Sequence, residues 1–575
     1  MLEKLRLRLA NPDAILPMAI LGLLVGLLAG GIIIAFRLLI RYLQSFYLPP
    51  GPEDYASVDV LYRLLLPSLG GLSIGVLFHF MPPSSRNIGV VHVIERLTRF
   101  HGYLPFRNAA LQFVGAALSI ASGHSVGREG PTVHLGAASG SLAGKWLHLP
   151  NNSIRTLIAC GVAAAIGASF NTPLAGVIFS MEVVMMEYTI GSFTPVILAS
   201  FSATMLSRQV YGNAPAFIVP ALQMGSVQEL PVVFATAITV GLIAASFTAL
   251  LHYFSTLLTD VPPWARMALG GLITGLCAVT VPQIMGVSYG VVNDTLLGQV
   301  PLWLMLSILI LKLLATAAGL GMGLPGGLIG PSMVLGAMVG GSVGLTVSTL
   351  FPGEMSSHGF YAMLGMGAMM GATLQAPLSA LMALLELTAN PNILLPGMLT
   401  VIVSGLISKE LVGGKSIYLR LLEARGLTFR HNPLAQSLHH IGVASVMNRD
   451  FTASERFASR ETLQHLMKRS PRWVVVKEEN RPIALLPGAD LALYLEESGE
   501  EEEVDEEQQI DLMEIPANRQ KLTAVPRHVT LWEALDILDK EKSNASYVTR
   551  EDSSQLGIYG ILTRKDIEAT YRYSE

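Results

Sequence analysis

The chain has 575 residues, of which 51% are hydrophobic and 14% charged, and its mean hydropathy is +0.50; a soluble globular chain carries about 25% charged residues, so lipid is the solvent for much of this one. Its net charge of −4 gives no electrostatic footprint for nucleic acid. Two cysteines, Cys160 and Cys277, are too few for a disulfide framework or a zinc site and read as small buried hydrophobes.

Charge is unevenly spread along the chain. Acidic residues are sparse from Pro17 to about Ile407, and charges are dense from about Arg420 to Glu575. That shift marks two solvents and two domains, a membrane domain over 1–425 and a soluble domain over 426–575. The first apolar run, Ala14–Phe36, exceeds the roughly 7–15 apolar residues of a signal peptide and reads as a membrane helix. Lys4, Arg6 and Arg8 before it favour a cytoplasmic N-terminus. Further apolar runs follow, among them Asn108–Ser122, Ser153–Ala168, Pro173–Met186, Pro301–Gly319 and Pro377–Leu387. Several fall below the roughly 17 residues needed to cross a bilayer, and many start or stop at Gly or Pro, so discontinuous helices meeting inside the protein are expected.

An internal repeat sharpens this expectation. Phe170-Asn171-Thr172-Pro173-Leu174-Ala175 runs on to Glu182, and Leu374-Gln375-Ala376-Pro377-Leu378-Ser379 runs on to Glu386. Upstream of each lies a Gly-x-x-x-Pro break, Gly127-Arg128-Glu129-Gly130-Pro131 in one half and Gly327-Leu328-Ile329-Gly330-Pro331 in the other. Two motif pairs in the same order argue for a duplicated membrane half, and paired breaks point to a binding site between the halves.

The first break places Arg128 and Glu129 in apolar surroundings, where a charge costs a few kcal/mol. The glycines let the backbone break, and Pro131 suits the first turn of a new helix. That turn presents free N–H groups and the positive end of a dipole, which together attract an anion. Glu129 is placed to fill such a site and to yield it when protonated or displaced. The alternative is an Arg128–Glu129 pair that braces the break.

This segment resembles the gating-glutamate motif of the CLC chloride channels and exchangers. Gly326–Pro331 resembles the family's second anion motif, with Ile329 where Phe is usual and the amides of Leu328 and Ile329 still available. Gly414-Lys415-Ser416-Ile417-Tyr418 resembles the segment that supplies the pore tyrosine. The resemblance implies an all-α polytopic membrane domain of inverted repeats and broken helices (the CLC fold). It also implies a homodimer in the lipid bilayer, and chloride or a related anion coordinated by Arg128, Gly130, Leu328, Ile329 and Tyr418 and gated by Glu129. Two departures stand out. At the family's Gly-Ser-Gly-Ile-Pro motif this chain has Asn87-Ile88-Gly89, so Ile88 replaces a hydroxyl donor and Gly89 is left to offer its N–H. Val183 stands where many exchangers carry a proton-passing glutamate; valine cannot titrate, and this favours a passive channel, with a proton-coupled exchanger as the alternative. Glu182 beside it reads as structural, like Glu386. His92, His124 and His134 show no metal spacing, and the methionines from Met363 to Met370 read as adaptable packing.

After Tyr418 the chain turns polar. Leu486–Leu491 and Leu562–Ile567 share the frame Leu-x-x-x-Asp-apolar, and the mixed α/β pattern around them resembles a tandem CBS pair. In that module Thr563 and Asp566 match an element that holds a nucleotide ribose, so ATP, ADP or AMP is the expected ligand; a purely structural brace is the alternative. The acidic stretch 496–507 between the copies reads as a solvated linker. Together these features imply no enzyme, no required cofactor and a bacterial inner-membrane location with both termini cytoplasmic. Two rival classes are an intramembrane hydrolase, for which no Ser/His or paired-Asp constellation stands at suitable spacing, and a nucleotide sensor merely anchored in lipid, which would not need the charged break.

Overall fold

Apolar runs cut by glycine and proline fold, in the computed structural model, into helices of very unequal length. The structure describes residues 2–49, 53–214, 217, 224–352, 355–427, 433–498, 509–549 and 557–572. They form two compact units: Met18–Lys145 with Arg155–Arg430, and Met1–Pro17 with Trp146–Ile154 and His431–Glu575. The N-terminus and residues 146–154 thus fall in the smaller unit, not with the membrane segments as the sequence suggested. The reason is burial: helix α1 (Leu2–Leu9) ends at Ala10, which lies in one apolar core with Val443, Val525, Leu531 and Leu562.

The larger unit is helical among its described residues. Its first half holds α2 (Ile15–Gln44), α3 (Val60–His79), α4 (Gly89–Arg99), α5 (Phe106–Ala121), α6 (Glu129–Trp146), α7 (Asn151–Phe170), α8 (Pro173–Phe179) and α9 (Ile190–Tyr211). The second half follows with α10 (Leu230–Thr256), α11 (Pro263–Thr280), α12 (Tyr289–Leu296), α13 (Leu302–Gly321), α14 (Ile329–Leu350), α15 (His358–Leu374), α16 (Pro377–Thr388), α17 (Leu394–Leu411) and α18 (Ile417–Ala424). Seven helical stretches among the described residues are long and apolar enough to cross a membrane. The repeat is visible in packing as well as in order. In each half the helix that opens at the break lies against the next through facing glycines, Gly136 on Gly161 and Gly336 on Gly365, where an added Cβ would meet backbone.

Short helices that start within the protein need acceptors for their first N–H groups. The two halves supply them to each other. The Glu182 carboxylate accepts from the N–H groups of Leu378 (3.1 Å) and Ser379 (2.7 Å) at the start of α16. Glu386 accepts from Leu174 (3.0 Å) and Ala175 (2.7 Å) at the start of α8. Pro173 and Pro377 occupy the first helical positions, where no N–H is required.

The smaller unit carries α19 (Pro433–His439) and α20 (Val443–Val446), then two β-α-β-β-α modules. In the first, β1 (Phe451–Glu455) pairs in parallel with β3 (Trp473–Glu478) and β3 pairs antiparallel with β4 (Arg481–Pro487). In the second, β6 (Gln520–Pro526) pairs in parallel with β7 (Ala545–Thr549), which pairs antiparallel with β8 (Ile558–Thr563). The β4–β6 pairing joins them into one sheet ordered β1-β3-β4-β6-β7-β8, while β2 (Phe457–Ser459) and β5 (Gln509–Asp511) form a separate ribbon. Helices α21 (Arg460–Met467), α22 (Gly488–Glu497), α23 (Leu531–Lys540) and α24 (Arg564–Arg572) complete the modules. Residues 499–507 of the acidic stretch lie outside the described residues. Glu386→Ala strips the acceptor from two N–H groups, each worth about 1–3 kcal/mol when left unsatisfied, and is expected to lower the thermal unfolding midpoint in detergent by several degrees.

Candidate functional site

The two Gly-x-x-x-Pro breaks meet. Gly127 N–H donates to the Gly327 carbonyl (2.9 Å) and Gly327 N–H donates to the Gly127 carbonyl (2.6 Å), an antiparallel bridge between the halves. Only glycine fits so close an approach: a Cβ on Gly127 would lie 2.9 Å from Pro331 Cδ, and one on Gly130 would lie 2.8 Å from the Gly326 carbonyl. Glu129 opens α6 just beyond the bridge and is completely buried.

Its carboxylate does not serve its own helix. One oxygen accepts from the N–H of Gly330 (3.1 Å) in the first turn of α14, and the other accepts from the Tyr289 hydroxyl (2.5 Å). A buried carboxylate is tolerable only when its oxygens are hydrogen-bonded, and the positive end of a helix adds to the stabilisation. Tyr289, first residue of α12, is held by an edge contact with Phe217 (ring centroids 5.2 Å apart). Arg128 turns elsewhere. Its guanidinium donates to the Ser169 carbonyl (3.4 Å) and lies over the rings of Tyr289 (5.4 Å) and Phe170 (5.9 Å). The break is therefore braced by the bridge and not by an Arg128–Glu129 pair.

Arg128 also borders a cavity of about 360 Å³ shared with Arg37, Arg41, Gln44, Glu53, Tyr289 and Asn293. Arg37 is fixed there by the Ala168 carbonyl (3.1 Å) and by the face of Tyr211, 3.7 Å from the ring centroid. Leu328 and Ile329 are buried at the start of α14. Tyr418 is buried in the first turn of α18, and its hydroxyl has no partner among the described residues.

At the other predicted segment the structure corrects the sequence reading. Gly89 begins α4 with φ +80°, a conformation that favours glycine. Its N–H is not available, because it donates to Gln112 Oε1 (2.7 Å). The Asn87 carbonyl accepts from Asn108 Nδ2 (2.8 Å), and Ile88 packs beside the apolar cluster of Ile74, Phe78, Leu111 and Leu324. Val183 is buried in a π-helical turn that continues α8. His92 Nδ1 lies 2.9 Å from His134 Nε2 in a buried pair.

Tyr289, Gln112 and the part of Gly330 as an amide donor escaped sequence reasoning. The repeat marks two of them: Tyr289 stands at the same 200-residue interval from Gly89 that separates Gly327 from Gly127, and Gly330 matches Gly130. In the smaller unit a cavity of about 610 Å³ is lined by Arg472, Trp473, Pro487, Gln520, Thr563 and Lys565. Asp566 is otherwise engaged: its carboxylate accepts from the N–H (2.9 Å) and O–H (2.6 Å) of Thr563, closing the first turn of α24.

Comparison with known proteins accords with this geometry. The family model described as "Voltage gated chloride channel" matches residues 70–409. A "Putative chloride channel protein ClcB-like" from Ralstonia nicotianae is 32% identical over 68% of this chain and 92% of its own. An "H(+)/Cl(-) exchange transporter ClcA" from Salmonella arizonae is 27% identical over 73% of this chain and 91% of its own. Among solved structures, a slow cyanobacterial Cl−/H+ antiporter shares the fold at TM-score 0.62 and 24% identity over 72% of this chain and 98% of that one. A eukaryotic CLC transporter shares it at TM-score 0.58 and 17% identity over 97% of this chain and 99% of that one. Tyr289→Phe removes one of the two donors that hold the Glu129 carboxylate, a bond to a charged group worth about 1.5–3 kcal/mol. Roughly tenfold faster anion efflux from loaded liposomes is expected.

Proposed function

The chain belongs to the voltage-gated chloride channel family, a family of membrane-embedded chloride transporters and not enzymes, and on that footing we propose that it conducts chloride passively along a path that the Glu129 carboxylate closes. The observation that carries this reading is the position of that carboxylate, buried and bonded to an α14 amide and to Tyr289. N–H and O–H donors that each hold one oxygen of a carboxylate bind chloride by the same chemistry. When Glu129 is protonated or swings away, chloride takes its place. The unpartnered Tyr418 hydroxyl is a second donor for the ion, and the Leu328 and Ile329 amides at the start of α14 are further ones. Arg37, Arg41 and Arg128 around the adjoining cavity raise the local anion concentration.

Passive flow is preferred to exchange because Val183 offers no titratable group on the far side. A second reading, proton-coupled chloride exchange, is favoured by relatives named as H(+)/Cl(-) exchange transporters and by the buried His92–His134 pair. Full-length protein in liposomes with opposing chloride and proton gradients separates the two. A reversal potential at the chloride equilibrium value without uphill proton movement supports the channel; a fixed proton-to-chloride ratio supports the exchanger. Glu129→Gln leaves the position neutral, so chloride flux is expected to lose its dependence on pH; an unchanged pH profile would remove Glu129 from the gating role.

We read the β-α-β-β-α modules as a CBS pair that takes an adenine nucleotide in the cavity bordered by Arg472, Trp473 and Lys565. Two cations suit the phosphates and the indole suits the base. Titration calorimetry with ATP on the full chain is expected to give a saturable heat that Arg472→Ala weakens about tenfold or more. Two copies of this chain in a bacterial inner membrane, both termini cytoplasmic, complete the proposal; the bacterial relatives and the basic N-terminus support it.

A further inference from the structure

Lys312 lies in the middle of α13, a helix apolar enough to cross the membrane, and it is completely buried. A lysine so placed is seldom left without a use. Its three N–H donors are shared among four oxygens within reach: the carbonyls of Ile284 (3.0 Å) and Gly286 (3.4 Å), and the hydroxyls of Ser288 (2.8 Å) and Ser125 (3.2 Å). All four belong to neutral groups, so these bonds satisfy its protons and leave its charge uncompensated at contact range. The partners are not scattered. Ile284, Gly286 and Ser288 form the loop that delivers Tyr289, while Ser125 precedes the Gly127 bridge and also meets Thr316 Oγ1 (2.9 Å). One side chain thus ties together the two segments that place the Tyr289 hydroxyl and the Glu129 carboxylate.

The repeat makes the charge more telling. Lys312 stands 200 residues after Gln112, the interval that also relates Gly327 to Gly127 and Tyr289 to Gly89. Gln112 braces the start of α4 as an acceptor, taking the Gly89 N–H. Lys312 braces the approach to α12 as a donor. Equivalent positions in the two halves therefore carry a neutral amide and a cation. A structural tie alone needs donors, which a neutral side chain supplies; an ammonium here adds a positive charge in a region of low dielectric.

We propose that Lys312 is a positioning and specificity-determining residue, the buried positive charge that gives the Glu129 site its affinity for a monovalent anion. The proposal rests on the reading of that site as one that Glu129 and chloride occupy in turn. Neither oxygen of Glu129 touches Lys312, so it acts through the field and through the loop that carries Tyr289.

Chloride binding to purified full-length protein, measured by titration calorimetry, tests it with three variants. Lys312→Met removes charge and tie, Lys312→Gln removes the charge but keeps hydrogen bonding as Gln112 does, and Lys312→Arg keeps the charge. Met and Gln are expected to weaken chloride binding by roughly tenfold, the order of effect of removing one unit charge that is not in contact with the ion, while Arg, which keeps the charge, stays within about threefold of the unsubstituted protein. Chloride binding by the Gln variant within twofold of the unsubstituted protein would overturn the proposal. So would a loss in the Arg variant as large as in the Met variant, since that marks a role in packing alone. Thermal unfolding certifies that each variant is folded, and if Met unfolds the Gln–Arg comparison still decides. The same titrations in Glu129→Gln protein keep the two readings apart. If Glu129→Gln leaves chloride affinity and flux unchanged, the gate reading fails, whereas the Lys312 proposal fails only on the charge dependence.

Discussion

A helix that starts inside lipid exposes N–H groups that no water can reach, and an acceptor must be brought to them. Much of the membrane unit answers this one constraint. Glu182 serves α16 and Glu386 serves α8, so each half completes the other. Glu129 repeats the device at α14, with one difference. The two structural glutamates each hold two amides of a single turn. Glu129 holds one amide and a tyrosine hydroxyl on another helix. Its hold is split between two elements, and a movement of either loosens it. The same chemistry that stabilises the fold at two sites is divided between two helices at the third.

Much of this was legible in the sequence, and the reasons are particular. Duplicated motifs announce duplicated structure, so the breaks at Gly127 and Gly327 and the glutamates after Pro173 and Pro377 pointed to their counterparts. An acidic residue beside glycine in an apolar stretch singled out Glu129, which the structure buries. Tyr289 carried no local signal: its partner, Glu129, lies 160 positions earlier, and only its 200-residue offset from Gly89 marks it. The reading of Gly89 as a free donor failed for a related reason: whether an N–H is free depends on what packs against it, and Gln112 arrives from the next helix. The N-terminal helix was assigned to the membrane part by position in the chain. Its burial against Val443 and Leu531 is a tertiary fact that hydropathy does not contain.

The halves are alike in backbone and different in chemistry. Gly89 and Tyr289 open equivalent helices, and Gln112 and Lys312 stand behind them. One end presents an amide already satisfied and an isoleucine packed in an apolar cluster; the other presents a phenol, a carboxylate and a buried ammonium. A duplicated framework has therefore been made polar in one copy and left neutral in the other. On the proposed reading, an anion would meet different environments at these two segments.

The exchanged caps also bear on how the protein is made. Ala175 and its acceptor Glu386 are 211 residues apart, so a ribosome that has finished α8 must add nearly the whole second half before that helix end is satisfied. Synthesis proceeds at about 5–20 residues per second, and the first half therefore waits in or beside the membrane for tens of seconds with its amide groups unpaired. The insertion machinery must shelter an incomplete half during that time. A chain cut short after α9 would leave the amide groups of Leu174 and Ala175 without their acceptor.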